Sequence, residues 1–129
     1  MKLIILKELL KEGLTITSRI SPKTLSLPIL NNILFKTEKN FLILEATDLE
    51  IGIRWKALAK IEREGSITIP SKIFFNLVNL LPDKPLDLEV VNNTLNIKCQ
   101  NYQTEIKGQS VEEYPIIPKT ITENPTLFD

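Results

Sequence analysis

The chain has 129 residues, 43% hydrophobic and 25% charged, with sixteen Lys/Arg against sixteen Asp/Glu. That is room for one domain with a sizeable core, and the composition is that of a globular protein rather than a disordered or fibrous one. Zero net charge argues against tight, affinity-driven nucleic-acid binding, which scales with the phosphates neutralised, and the absence of histidine removes the commonest general base near neutral pH.

Lys2 to Leu6 is apolar enough for a strand. From Lys7 the period becomes helical, with Leu6, Leu9, Leu10 and Leu14 on one face and Lys7, Lys11, Thr15 and Ser18 on the other. Gly13 should weaken this helix by about 1 kcal/mol relative to Ala. Lys7, Glu8, Lys11 and Glu12 interrupt the opening apolar segment, so it does not resemble a signal peptide, and no apolar run approaches the ~20 residues that cross a bilayer. Pro22 marks a loop over Ser21 to Ser26. Three antiparallel strands are expected next: Ile29 to Lys36, Phe41 to Ala46, and a third alternating Ile51, Ile53 and Trp55 against Glu50, Arg54 and Lys56. Glu38-Lys39-Asn40 and Thr47-Asp48 are the turns between them. Ala57 to Glu64 reads as a charged connection.

Ser66 to Ile69 is a short strand stopped by Pro70, and Ser71 is a candidate helix N-cap. The helix it opens runs to Leu81, with Ile73, Phe74, Leu77, Val78 and Leu81 on the apolar arc and Lys72, Phe75 and Asn79 opposite. After Pro82-Asp83-Lys84-Pro85 come strands alternating at Leu86, Leu88 and Val90, then at Leu95, Ile97 and Cys99, joined through Asn92-Asn93. Tyr102 to Lys107 is the last strand and should end its sheet. The order strand, helix, strand, strand, strand thus occurs twice, in 1–60 and in 65–108. The fold class is α+β: two βαβββ halves, with two helices packed on one face of antiparallel sheets. Periodicity is lost after Pro115; a domain over 1–118 leaves 119–129 as a linker or tail toward a further domain.

No catalytic constellation is visible, no Cys, Asp or Glu set has metal-ligand spacing, and no glycine-rich phosphate loop exists among four glycines. Asp48 and Glu50 fit a turn cap and a solvated strand carboxylate. Cys99, the one cysteine, alternates inward and fits a small core residue in a cytosolic protein. Charge is uneven: residues 1–62 hold ten Lys/Arg and seven Asp/Glu, while 63–129 hold six and nine. Lysines on the polar side of an amphipathic helix ordinarily serve solvation.

Four stretches carry a resemblance: Leu27-Pro28-Ile29-Leu30, Ala46-Thr47-Asp48-Leu49-Glu50, Thr68-Ile69-Pro70-Ser71-Lys72-Ile73-Phe74-Phe75, and Glu113-Tyr114-Pro115. In order and spacing, over residues 1–118, the chain resembles the first domain of the bacterial sliding clamp, the beta subunit of DNA polymerase III. The resemblance implies a DNA-clamp fold and a role as a processivity factor: an accessory subunit with no bond chemistry, cofactor or metal of its own. It implies that the helices face the DNA, which makes Lys7, Lys11, Arg19, Lys23 and Lys72 the DNA-facing residues. The family often has arginine in the loop before the Leu-Pro-Ile-Leu run; Thr24 stands there here, beside Lys23. By the same resemblance Thr104 and Ile106 fall at the subunit interface of a head-to-tail homodimeric ring. The partners implied are duplex DNA without sequence preference, a second clamp subunit, and the polymerase and clamp loader through domains beyond this one. A cytoplasmic protein without membrane contact is expected. The alternative is a free-standing module that captures a protein through its sheet edges; an enzyme ranks third.

Overall fold

Leu3 and Ile5 alternate with Lys2, Ile4 and Leu6, and in the computed structural model this alternation forms strand β1 (Lys2–Leu6) with the odd residues buried. The structure describes residues 1–20 and 28–115. Helix α1 (Lys7–Thr17) follows without a break. A 3-10 turn, Pro28–Asn31, leads into β2 (Asn32–Glu38), β3 (Phe41–Thr47), β4 (Gly52–Leu58) and β5 (Lys60–Arg63). The second half comprises β6 (Ser66–Pro70), α2 (Ser71–Leu80), β7 (Pro85–Val91), β8 (Thr94–Cys99) and β9 (Tyr102–Lys107). A short 3-10 turn, Val111–Glu113, comes last.

The strands form two antiparallel sheets, ordered β5-β1-β7-β8-β9 and β4-β3-β2-β6. The two βαβββ halves interlock rather than abut. The first strand of one half lies in the other half's sheet: β1 pairs with β7, setting Leu3 opposite Leu88, and β6 pairs with β2, setting Ile69 opposite Ile33. The helices pack on each other, and α1 also rests on β3 and β4. One continuous core joins Leu10, Leu14, Phe74 and Val78 of the helices to the inward residues of both sheets. Within it the rings of Phe35 and Phe74 meet edge to face, 5.5 Å between centroids.

Several sequence expectations need correction. The first strand of the three starts at Asn32, because Pro28 to Asn31 is wound as a 3-10 turn. Ile51 lies in the β3–β4 turn and is exposed. The charged connection contains β5, whose pairing to β1 was hidden by polar residues on a sheet edge. Ser71 is not an N-cap: Pro70 holds that place and no side chain caps it. Both helix phases are rotated from the expected ones. Leu6 still obeys the strand alternation of β1 and points out, whereas Lys7 is buried. On α2, Ile73 is exposed and Phe75 packs against the core. Trp55 and Leu77 are half-buried, and Phe74 is fully enclosed. At the hairpin, Asn92 and Asn93 adopt φ of 52° and 59°, as expected of Asn. The loop expected over Ser21 to Ser26 and the tail over 119–129 lie outside the described residues.

Candidate nucleic-acid interface and assembly edge

The helix layer carries the cations singled out from sequence, and it spreads them rather than gathering them. Lys72, the second residue of α2, is exposed, and so is Arg19, just past the end of α1. Lys11 is half-buried on α1. Glu8 and Glu12, both exposed, share α1 with it. Lys7 does not join this face: the residue is 7% exposed, and its ammonium lies 3.3 Å from the Glu8 carboxylate. Its burial follows from its place as the first helical residue, where its backbone N–H donates to the Lys84 carbonyl at 3.3 Å. Lys23 and Thr24 lie outside the described residues. Among the described residues no group of three or more His, Cys, Asp or Glu could hold a metal ion, and no helix is long and apolar enough to cross a membrane.

Each sheet has two edge strands, β5 and β9 on one and β4 and β6 on the other. An open edge presents unpaired N–H and C=O groups to another strand. On β9, Thr104 is half-buried and Ile106 is core, 5% exposed opposite Leu95. In this single chain Ile106 therefore presents little apolar surface of its own. The period-two alternation of β9 points it inward with the hydrophobic face of β8. The exposed apolar side chain of β9 is Tyr102, 57% exposed, at the start of the strand. Tyr102 pairs with Cys99, whose thiol lies 3.8 Å from the carbonyl of Pro82 just beyond α2. Leu80, 80% exposed, ends that helix. The exposure of Leu80 and Tyr102 was not read from the sequence, because an apolar residue at the end of an element leaves no periodic signal.

The outer face of the four-stranded sheet holds the main polar network. Glu45 is buried with the Nε of Arg54 at 2.8 Å and the Nζ of Lys36 at 3.5 Å. Asn32 donates to Thr68 Oγ1 at 3.1 Å, and that hydroxyl donates to the Gln109 carbonyl, also at 3.1 Å. Tyr114 closes the group, its single hydroxyl proton shared between the carbonyls of Asn32 and Glu45 at 3.2 and 3.3 Å. Burial pushes the Tyr114 phenol up to about 12. The Glu113-Tyr114-Pro115 stretch thus has a mechanical role, fastening the chain's exit to the sheet. On the other sheet, Arg63 sits 3.0 Å from Glu89 and holds that carboxyl below its ordinary value. That pair ties β5 to β7 across β1.

Residues 1–118 match the family model described as the DNA polymerase III beta subunit, N-terminal domain. A beta sliding clamp from Synechocystis is 29% identical over 137 residues, covering 99% of this chain and 35% of the relative. One from Synechococcus elongatus is 32% identical over 121 residues, covering 92% and 32%. Among solved structures, a DNA polymerase III beta subunit of Eubacterium rectale superimposes with a TM-score of 0.86 at 34% identity, over 92% of this chain and 33% of that one. The chain spans about a third of the length of the curated relatives it matches.

Proposed function

The chain belongs to the DNA polymerase III beta subunit family, whose N-terminal domain it matches, and from that premise we propose that it works as the first domain of a ring that encircles duplex DNA and holds a replicative polymerase on it. The observation that carries the reading is the joint arrangement of the helix layer and the sheet edges. Two helices lie together, and the sheets end in four different edge strands, β5 and β9 on one and β4 and β6 on the other. Non-equivalent edges suit a head-to-tail ring, which needs two different, complementary contacts on each unit. The helix face, with Lys11, Arg19 and Lys72 offset by Glu8 and Glu12, suits loose contact with passing phosphates. A ring holds DNA by topology, so strong affinity is not needed and a net charge of zero is no obstacle. The activity is accessory rather than enzymatic, exercised in the cytoplasm, with polymerase and clamp loader engaged through the further domains of the longer protein.

Titration of a labelled duplex with this chain tests the reading. Weak binding, equal for unrelated sequences, is expected. With about three helix-borne cations, affinity should fall roughly 10- to 100-fold between about 50 and 200 mM salt. Lys72→Glu and Arg19→Glu should each weaken it further. Tight, sequence-selective or salt-insensitive binding contradicts the clamp reading. Capture of an extended peptide along β4 or β9, with no DNA binding at all, favours a protein-binding module.

A further inference from the structure

Strand β6 is an edge of its sheet, and the chain returns to cover it. Thr68, at the middle of β6, turns its backbone groups away from β2 and toward Gln109. Its N–H donates to the Gln109 carbonyl and its carbonyl accepts the Gln109 N–H, each bond 2.9 Å. By strand alternation Ser66 and Pro70 face the same way. Thr68 Oγ1 donates to the same Gln109 carbonyl at 3.1 Å and accepts from the Asn32 amide, also at 3.1 Å. Among the described residues this is the one β-bridge outside the named strands. The approach is close: a Cβ on Gly108 would overlap the Thr68 carbonyl oxygen and stand 2.7 Å from Ile67 Cδ1. Gly108 N–H donates to the Asn93 carbonyl at 2.8 Å, and Tyr114 is bonded to the carbonyls of Asn32 and Glu45. Residues 108–114 thus form a strap. It is rooted in one sheet at Asn93, lies on the edge of the other at Thr68, and is pinned beyond that edge by Tyr114. Gln109, Ser110 and Glu112 are exposed. Between its anchors the strap is therefore held on β6 mainly by hydrogen bonds, and such segments open at lower cost than the fold as a whole.

We propose that this strap is a releasable guard on the β6 edge, and that β6, once uncovered, pairs with β6 of a second copy of the chain. An uncovered edge offers its N–H and C=O groups to another strand. The bond pattern selects the second copy as occupant. Thr68 gives one bond to the residue opposite it and takes one back. In an antiparallel pair about a two-fold axis, the Thr68 of each copy replaces Gln109 for the other, and both bonds are kept. The same register sets Ser66 opposite Pro70, so each Ser66 N–H meets a Pro70 carbonyl. Pro70 has no N–H to return that bond, which ends the ladder there and keeps the association weak. A second copy is also the one strand always present at the chain's own concentration. While the strap is in place it blocks this pairing, the protection that an exposed edge needs. The proposal stands independently of the clamp reading.

Two variants of the 129-residue chain lift the strap by different routes. In Gly108→Ala the new Cβ meets the Thr68 carbonyl; in Gln109→Pro the N–H that this carbonyl accepts is gone. A thermal melt checks that each is folded, and if one is not, the other is read. In the parent chain the Thr68 amide should exchange slowly with solvent at every protein concentration. In the variants it should exchange faster when dilute and regain protection as concentration rises, while sedimentation shows a dimer forming. Adding Thr68→Pro, tolerated on an edge strand whose N–H faces outward, removes the bonds donated at the axis and should return the variants to monomer. Folded variants with a fast Thr68 amide that stay monomeric at every concentration overturn the proposal. A dimer that survives Thr68→Pro also overturns it, because it uses another edge. A Thr68 amide as slow in dilute variants as in the parent shows that the strap is not what covers β6. Loss of the fold in both variants makes the strap a part of the core structure and not a guard, and overturns the proposal as well.

Discussion

Gly13 shows how one residue's role depends on what it faces. Within α1 it should cost about 1 kcal/mol relative to alanine, so Gly13→Ala would stabilise an open helix. Here the indole of Trp55 occupies the space: a Cβ at this position would stand 2.5 to 2.7 Å from three ring atoms. Gly13→Ala should therefore destabilise by about 1–3 kcal/mol through overpacking. Urea denaturation measures this, and a gain in stability would show that the ring yields. Tyr114 gives a second test at this scale. Its folded-state pKa, about 12, lies above the ordinary value of 10.0. The protonated phenol is thus favoured by folding: the associated stability is fully present below pH 10 and is lost as pH rises toward 12. The wild-type chain should lose up to about 2–3 kcal/mol across that window relative to Tyr114→Phe. At neutral pH, Tyr114→Phe should itself cost roughly 1 kcal/mol for the missing hydrogen bond. Parallel denaturation at pH 7 and near pH 11 separates the two effects.

Among the elements, β9 and α2 show most clearly how burial redirects an expectation. Ile106 belongs to the core, so Ile106→Lys should unfold the domain, at a cost above about 3 kcal/mol for enclosing an unpaired charge. Leu80, exposed at the end of α2, is where a second subunit can be tested without harming the fold. In this chain Leu80→Lys should change stability by less than about 0.5 kcal/mol. In a full-length protein containing this domain, the same change should split the dimer in sedimentation while Ile106→Lys yields misfolded material. An intact Leu80→Lys dimer would remove the end of α2 from the interface.

For the molecule as a whole, the exchange of first strands governs folding. β1 needs β7 and β6 needs β2, so each half lacks one strand of its own sheet. Residues 1–64 alone should show no cooperative unfolding transition, and the same should hold for 65–129. Mixed together, the two pieces should recover the circular dichroism and the melt of the intact chain. A cooperatively folded half would mean that the repeat is two units joined in series.

Alternation of period two and the punctuation by Pro and Asn made most strands, both helices and the Asn92-Asn93 hairpin legible in the sequence, because these are local consequences of side-chain spacing and backbone sterics. The repeat of element order was legible for the same reason, and four short stretches in register pointed to the family. Strand partners were not legible. Which sheet β1 joins depends on the hydrophobic face it meets after collapse, and β5 carries too little apolar residue to announce itself. The phase of each helix was also decided by packing: Trp55 sits over Gly13, and Lys7 is enclosed where the polar side of α1 was expected. Thr104 and Ile106 were placed on an edge strand correctly, but the inward turn of Ile106 and the exposure of Leu80 and Tyr102 arise from contacts between distant segments. Spacing along the chain encodes what a residue can do within its own element; only the tertiary structure determines whether it does so in the core or in water.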